Sequence, residues 1–271
     1  MIRISLETLV IAGMTGLISG CHASIWGMYK DALHEGFRLG AFTRSIIIGV
    51  IVAVIIEIWL NLPLPDPRAL ILLFGLSYAT ERGIVEVWKT FVRREDQSKY
   101  FIPMQFSIRG VPVTSFATRL AAGSAYVAAV AGLLLVVQKL NDSASTLSHT
   151  GRAALGGMAV GVLLAIGGAW KDAPKEGFQI VKFFRSPAMT VFYACLIAQL
   201  TGDHLLIAAA AIGYERATAE TYKTFFFPSR SRGKFNGKPV LWPGVLVTRR
   251  YFVPVYISIC ASVIVCAAAA L

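Results

Sequence analysis

The sequence predicts an all-α polytopic membrane protein, and three observations support this class. Of the 271 residues, 56% are hydrophobic and only 15% are charged, whereas a soluble domain carries about 25% charged residues. The apolar residues form long runs, such as 46–60 and 120–137, and a run of about 18 to 20 apolar residues spans a bilayer as a helix. The third observation is a pattern of charged residues that occurs twice along the chain.

Eight apolar segments are predicted to span the membrane, and helix-capping residues mark several of their boundaries. Asp66 before Pro67, and Ser186 before Pro187, are typical of an N-cap followed by the first helical residue. Asp203 is a candidate cap for the seventh span. The predicted spans are 8–28, 45–61, 67–88, 119–138, 153–170, 187–202, 204–223 and 251–271.

Lysine and arginine concentrate in connections that an eight-span topology places on one side of the membrane. These basic connections are 29–44, 89–118, 171–186 and 224–250. The positive-inside rule predicts that they are cytoplasmic and that both termini are outside. The same rule accounts for the net charge of +11 without a nucleic-acid partner. We expect a bacterial plasma (inner) membrane protein.

Charged and small residues recur in the same order in both halves of the chain. The phrase YKDALHEGF at 29–37 returns as WKDAPKEGF at 170–178, which is 141 residues later. Further matches follow, including the motif ERxxxExxKTF at 81–91 and 215–225. We predict two tandem four-helix repeats, 1–141 and 142–271, within one compact membrane domain. Because four spans is an even number, the repeats share one orientation and a pseudo-two-fold axis along the membrane normal.

The repeated KDAxxEGF segments are predicted to form short helices at the cytoplasmic interface, after a break at Pro174. Arg44 and Arg185 each precede a serine that is a candidate cap for the next span. A cation beside a helix N-terminus needs a neutralising anion, which is a neighbouring carboxylate, a lipid headgroup or a bound phosphate. The predicted mouth of a cytoplasmic cavity consists of Lys30, Asp31, Glu35, Arg44, Lys171, Asp172, Glu176 and Arg185.

The ERxxxExxKTF motifs place ionisable residues inside predicted spans. At 1.5 Å per residue, Glu81 lies about 21 Å into its span and Glu215 about 16 Å into its own. Charges at such depth are costly and face the protein interior or water. Neither glutamate has a predicted partner on its own helix, so we expect each to find a cation on another helix, a proton or a ligand. The predicted substrate-binding or translocation residues are Glu81, Arg82, Glu86, Lys89, Glu215, Arg216, Glu220 and Lys223.

Three functions fit these patterns. The first is a transporter or channel-like protein with a cytoplasm-facing polar cavity on the pseudo-two-fold axis, which handles a small anionic or phosphate-bearing substrate, including a lipid. The second is an enzyme of phosphorylated or polyisoprenoid lipids, in which Asp31, Glu35, Glu81 and Glu86 hold Mg²⁺; no cofactor is expected otherwise. The third is a structural or scaffold subunit, whose charges form ion pairs.

Several partners are expected on the cytoplasmic side. Basic and aromatic loops at 92–117 and 226–247 are expected to contact anionic lipid headgroups or a protein partner. A phosphate-bearing ligand is the expected partner of the cavity.

Overall fold

The structure, a computed structural model, describes residues 5–141, 146–227 and 233–271. Asp142, where the second predicted half begins, lies outside the described residues, as do residues 228–232 of the basic loop 226–247. The described residues are mainly helical, which confirms the predicted all-α class.

Each of the eight predicted spans coincides with a long helix. The helices are α1 (Leu6–Glu35), α2 (Leu39–Leu60), α3 (Pro67–Val87), α4 (Phe116–Gln138), α5 (His149–Glu176), α6 (Ile180–Ile197), α7 (His204–Phe225), the short α8 (Val245–Thr248) and α9 (Phe252–Ala270). A π-helical turn, Trp88–Val92, extends α3, and 3-10 turns occur at Gly233–Phe235 and Arg249–Tyr251.

Six helical segments in the described part of the chain are long and apolar enough to cross a membrane. They are α1, α2, α4, α5, α6 and the segment Val245–Ala270. These helices indicate an integral membrane protein. The helices α3 and α7 are not among the six, and both carry ionisable residues in their second halves.

The helices α3 and α7 are buried in protein. Every residue of 71–78 in α3 is buried, on all faces of the helix. In α7, the residues Ile207, Ala208, Ala210 and Ala211 are fully enclosed. A helical stretch that is covered all round needs little apolar surface of its own for lipid, which is compatible with the ionisable residues in the second halves of α3 and α7.

The chain divides into two compact units. The first unit consists of Met1–Arg82, Arg216–Pro228 and Pro239–Leu271, and the second of Gly83–Glu215 and Ser229–Lys238. Each unit therefore draws on both halves of the sequence. The helix α3 leaves the first unit after Arg82, and α7 leaves the second unit after Glu215.

In the first unit, glycines allow α1 to pack closely on α2. A Cβ atom added at Gly16 would lie 2.7 Å from Ala53 Cβ, and one at Gly20 would lie 2.6 Å from Ile46 Cα. Both separations are shorter than van der Waals contact, so only glycine permits this approach, as is common between helices in membranes. Near the start of α1, Ala12 and Leu73 form a buried cluster with Ala53.

In the second unit, glycines also allow close packing, between α5 and α6. A Cβ atom at Gly157 would lie 2.7 Å from Ala194 Cβ, and one at Gly161 would lie 2.6 Å from Pro187 Cα. The first half of α5 also packs on α4 and α7 through Val160, Val137 and Ala208.

Three local predictions are wrong. The helix α5 runs through Pro174 to Glu176, because a proline in the last turn removes only one hydrogen bond before Gly177 ends the helix with φ 77°. The predicted interfacial helices are instead the first turns of α2 and α6. Arg44 and Arg185 therefore lie in the second turns of these helices, away from any N-terminus. Asp66 and Asp203, in contrast, do accept hydrogen bonds from the first turns of α3 and α7.

Short structured loops pack on the ends of α1 and α5. In the second unit, β1 (Ser107–Ile108) and β2 (Val111–Pro112) form a hairpin, and Trp170 Nε1 donates to Ser107 O at 2.9 Å. In the first unit, the backbone N–H groups of Leu241 and Trp242 donate to Leu33 O in α1.

Candidate functional site

The first unit encloses a hydrogen-bonded network around His22, in the middle of α1. His22 lies about 24 Å from the start of a helix about 45 Å long, and its side chain is buried. Its Nδ1 lies 3.1 Å from the Tyr78 hydroxyl, and its Nε2 lies 2.7 Å from the Tyr256 hydroxyl. The network is completed by Trp26 and Thr221, and these five residues are called the histidine network below.

The two ends of the histidine network determine the direction of every hydrogen bond. Thr221 Oγ1 donates its proton to Ala217 O at 2.7 Å, so it accepts from the Tyr256 hydroxyl at 2.5 Å. Tyr256 must then accept from His22 Nε2–H. At the other end, Trp26 Nε1–H donates to Tyr78 at 2.9 Å, and the Tyr78 hydroxyl donates to His22 Nδ1. A neutral imidazole that donates from Nε2 and accepts at Nδ1 is consistent with these hydrogen bonds.

The histidine network orients aromatic rings rather than carrying protons. It begins at an indole N–H and ends at a backbone carbonyl, neither of which exchanges protons as an acid or base under ordinary conditions. Its rings are packed edge-on or tilted, with 5.2 Å between the centroids of His22 and Tyr78 and 4.6 Å between those of His22 and Tyr256. The network therefore holds the Trp26 ring in one position.

Beside this network, Arg82 and Glu81 form a buried ion pair. Arg82 donates from Nε and Nη2 to the two carboxylate oxygens of Glu81, and Nη2 also donates to Ser45 Oγ at 2.9 Å. The relative exposure is 1% for Glu81 and 6% for Arg82. The prediction that Glu81 finds its partner on another helix is wrong. Burial forces the two long neighbouring side chains to fold onto each other, because a lone charge there is costly.

A second ion pair joins α1 to the end of α7. Lys30 Nζ lies 3.4 Å from Glu220 Oε2, and Lys223 Nζ lies 3.3 Å from Glu220 Oε1. Arg216, which is half-buried, also acts electrostatically on Glu220. Sequence reasoning assigned Lys30 to the cavity mouth and Glu220 to the translocation residues, and the fold brings these two groups into contact.

The two ion pairs meet at Trp26 and Tyr78. The guanidinium of Arg82 lies 5.4 Å from the centroid of the Trp26 ring, and Lys30 Nζ lies 5.7 Å from it. Both distances are within the range of a cation–π interaction. Glu81, Arg82 and Glu220 all act electrostatically on the Tyr78 hydroxyl. We call Lys30, Glu81, Arg82, Arg216, Glu220 and Lys223 the charged cluster.

The six residues of the charged cluster are four cations and two carboxylates. Glu81, Arg82 and Glu220 are buried, whereas Lys30, Arg216 and Lys223 are partly exposed. Arginine and lysine at this position provide several N–H donors for phosphate or carboxylate oxygens.

The other predicted residues of the first unit lie near the ends of their helices. Asp31 and Glu35 are in the last two turns of α1, and Glu35 lies 3.9 Å from Arg38. Arg44 is in the second turn of α2, one residue before Ser45.

In the second unit, the predicted residues form separate pairs. Glu215 Oε1 accepts from Ser186 Oγ at 2.7 Å, and Lys89 lies 3.8 Å from Glu86. Lys182 Nζ lies 2.6 Å from Asp172 and 2.8 Å from Glu176. This lysine therefore ties the end of α5 to the start of α6.

The remaining predicted residues of the second unit are partly buried. Lys171 lies next to Asp172 in α5, and Arg185 lies in the second turn of α6. Of the predicted residues of this unit, Glu215 is the most deeply buried, with 1% relative exposure.

The described residues do not assemble a metal site. No three His, Cys, Asp or Glu side chains of the described part come together in a suitable group. The predicted magnesium ligands Asp31, Glu35, Glu81 and Glu86 therefore do not form one cluster, and Glu81 is held by Arg82.

A polar cluster outside the membrane helices stabilises the loop after α3. Glu95 contacts Arg93 at 2.6 Å, accepts from the Tyr100 hydroxyl at 3.0 Å and also pairs with Lys99. Partial burial raises the pKa of Glu95, but the Lys99 hydrogen bond, the Arg93 charge and the Tyr100 hydrogen bond outweigh burial, so this pKa lies below its ordinary value.

Sequence reasoning missed the histidine network, because its five members lie on four different helices and share no local motif. Trp26, Tyr78, Thr221 and Tyr256 were not singled out. A signal was present: at the matching position in the second half of the chain, His22 is replaced by Leu163 and Tyr78 by Ile212.

In comparisons with protein-family models, curated proteins and solved structures, no significant match to this chain was found.

Proposed function

We propose that this protein is a membrane transporter for a small anionic or phosphate-bearing solute, or for a lipid with such a headgroup. The single observation that supports it best is the charged cluster around Trp26 and Tyr78. It brings arginine and lysine side chains together with two carboxylates, Glu81, Arg82 and Glu220 are buried, and it contacts the membrane helix α1 through Lys30 and Trp26.

Stability alone does not explain these buried ions. Removing two charges from water costs several kcal/mol per ion, and well-packed apolar residues of similar volume are often equally stable or more stable. Within membranes, ionisable residues mark pathways for ions and substrates. A transporter gives a physical reason to retain Lys30, Arg82 and Glu220 at such cost, because an incoming anion exchanges partners with the existing pairs.

The proposal includes eight transmembrane helices in two tandem repeats. The lengths of α3 and α7, at 21 and 22 residues, match the hydrocarbon thickness of about 30 Å. Close packing at Gly16–Ala53 and at Gly157–Ala194 occurs at matching positions of the two halves, which supports a duplication. The pseudo-two-fold axis, the outside termini, the cytoplasmic mouth and a bacterial inner membrane follow from the charge pattern and stay predictions.

The basic loops belong to the same proposal. We expect anionic lipid headgroups or a protein partner to bind the loops 92–117 and 226–247, since both are basic. The described part of the first loop is ordered by Glu95 and by the hairpin β1–β2, so it presents a defined surface.

Solute release from liposomes that contain the purified protein tests the proposal. Vesicles with and without the protein are loaded with labelled inorganic phosphate, sugar phosphates or small dicarboxylates, and release is followed. We expect protein-dependent flux that is strongly reduced in Glu81→Gln, Glu215→Gln and Lys30→Gln. The control variant is Arg250→Gln, which removes an exposed cation outside the charged cluster and is expected to retain flux.

Other outcomes identify the alternatives. Chemical conversion of a phosphorylated or polyisoprenoid lipid that depends on added Mg²⁺, without solute flux, would favour the enzyme. If Glu81→Gln and Lys30→Gln both retain wild-type flux, the charged cluster has no transport role. Absence of flux and of conversion, with stable binding of another protein, would favour the scaffold.

A further inference from the structure

A glutamate in the last turn of α2 is enclosed by protein and forms no ion pair with a described residue. The side chain of Glu57 has 0% relative exposure, and its Oε2 accepts a hydrogen bond from the backbone N–H of Leu62 at 3.3 Å. Within the described part of the chain, Glu57 Oε1 has no hydrogen-bond partner. This carboxyl group belongs neither to the charged cluster nor to the histidine network.

The face of α2 on which Glu57 lies is packed against apolar side chains. One turn before it on the same face, Ala53 forms a buried cluster with Ala12 of α1 and Leu73 of α3. Leu64, in the connection from α2 to α3, packs against the same cluster. These side chains offer a carboxylate neither a hydrogen-bond donor nor an opposite charge.

The charged residues of the neighbouring segments have other positions or other partners. Glu7, in the first turn of α1, is exposed. Asp66, in the connection, accepts from the backbone N–H of Arg68 at 2.7 Å, and Arg68 Nε donates to Ala270 O at 3.2 Å. Among the residues that the structure describes, none of these groups forms a hydrogen bond or an ion pair with Glu57.

The cost of burial favours the neutral form of this carboxyl group. An ionised carboxylate without a partner is so costly in an apolar interior that the group takes up a proton instead. The end of α2 acts in the same direction, because the C-terminus of a helix carries partial negative charge. Glu81 provides the contrast: it is also buried, with 1% relative exposure, but Arg82 compensates its charge.

We propose that Glu57 is a proton-binding site, which carries a proton in the folded protein and releases it only when the end of α2 opens to water. Ionisation would leave a charge among apolar side chains, so water has to enter between Glu57 and the connection 61–66. Proton release and opening are therefore coupled, and a rise in pH favours the open form. This inference goes beyond transport, because the site lies outside the charged cluster.

Infrared spectroscopy of the full-length protein in detergent micelles tests the site. The C=O stretching band of a protonated carboxylic acid is separate from the bands of a carboxylate, and it shifts in D₂O. Glu57→Gln keeps the shape and the neutral charge of the protonated side chain. Glu57→Ala is a second variant, since Ala198 stands at the matching position of the second half. Glu81→Gln is the matched control at a buried glutamate that has a cation.

We expect the wild-type protein to show the band of a protonated acid at neutral pH. Both variants of Glu57 should reduce this band by the intensity of one carboxyl group per chain, whereas Glu81→Gln should retain it and lose carboxylate intensity. Hydrogen exchange, corrected for its intrinsic pH dependence, measures the opening. In the wild-type protein, protection of the segment 61–66 should fall as the pH rises, and both variants of Glu57 should lack this dependence.

Three results would overturn the proposal. The first is a loss of carboxylate intensity in Glu57→Gln, which would show that Glu57 is ionised in the folded protein. The second is an unchanged protonated-acid band in both variants of Glu57. The third is hydrogen exchange in the segment 61–66 that depends on pH equally in the wild-type protein and in these variants. Neither measurement involves solute flux, so this proposal and transport fail separately.

Discussion

Replacing Arg82 by methionine tests whether water is excluded from the buried ion pair, as the structure indicates. The substitution keeps most of the side-chain volume and removes the guanidinium that donates twice to Glu81 and once to Ser45. The Glu81 carboxylate then stays in the protein interior without its cation.

The expected loss follows from this burial. Glu81 has 1% relative exposure, so water cannot replace the lost donors. Breaking a buried pair by removing one partner costs about 3–5 kcal/mol. Adding Glu81→Gln removes the uncompensated charge, so the double variant Glu81→Gln/Arg82→Met should be less destabilised than Arg82→Met alone.

Reversible unfolding in mixed micelles, titrated with a denaturing detergent, measures these free energies. The full cycle of two single variants and one double variant isolates the coupling between the side chains, because neighbouring residues are not additive. A loss below about 1 kcal/mol for Arg82→Met, the value typical of solvated surface pairs, would refute the reasoning. Equal losses of unfolding free energy for Arg82→Met and for the double variant would refute it as well.

Three further predictions concern the second unit. Gly157→Val should prevent close packing of α5 on α6 and sharply reduce the yield of folded protein, whereas Gly167→Ala, which meets open space, should fold normally. Lys182→Ala should cost at most about 1 kcal/mol in the same unfolding titration, because the pair is partly solvated; a larger loss would contradict this. Because the pKa of Glu95 is lowered on folding, its contribution is complete above the unfolded pKa and is lost as pH falls through the folded one. The 93–105 loop should therefore become more susceptible to proteolysis as the pH falls, and Glu95→Gln should reduce this pH dependence.

Several features followed from the sequence because they depend on local chemistry. A bilayer leaves the backbone no partner but itself, so long apolar runs must be helices. Asp66–Pro67 and Asp203 marked the starts of α3 and α7, since capping involves only residues within one turn. The helix ends near Pro174 and Arg44 were misplaced, because packing against neighbouring helices overrides the weak local preference of one proline or one serine.

The candidate site was predicted only in part. Charged residues inside an apolar chain are conspicuous, so Glu81, Arg82 and Glu220 were identified, and their depth followed from helix geometry. Their partners were not identified, because the position of a residue along a helix does not specify the conformation of a long side chain. The histidine network escaped prediction, because Tyr256 lies 234 residues from His22 and nothing local links them.

By itself, the amino-acid sequence determined the helical membrane character, the order of the helices and the recurrence of charged motifs, since each depends on hydropathy and spacing along one chain. The tertiary structure alone decided which of these motifs meet. Each compact unit takes helices from both halves, so Lys30 reaches Glu220 and His22 reaches Tyr256 through contacts between elements far apart in the chain. Such contacts depend on how whole helices pack, and close approach at glycines such as Gly16 decides that packing.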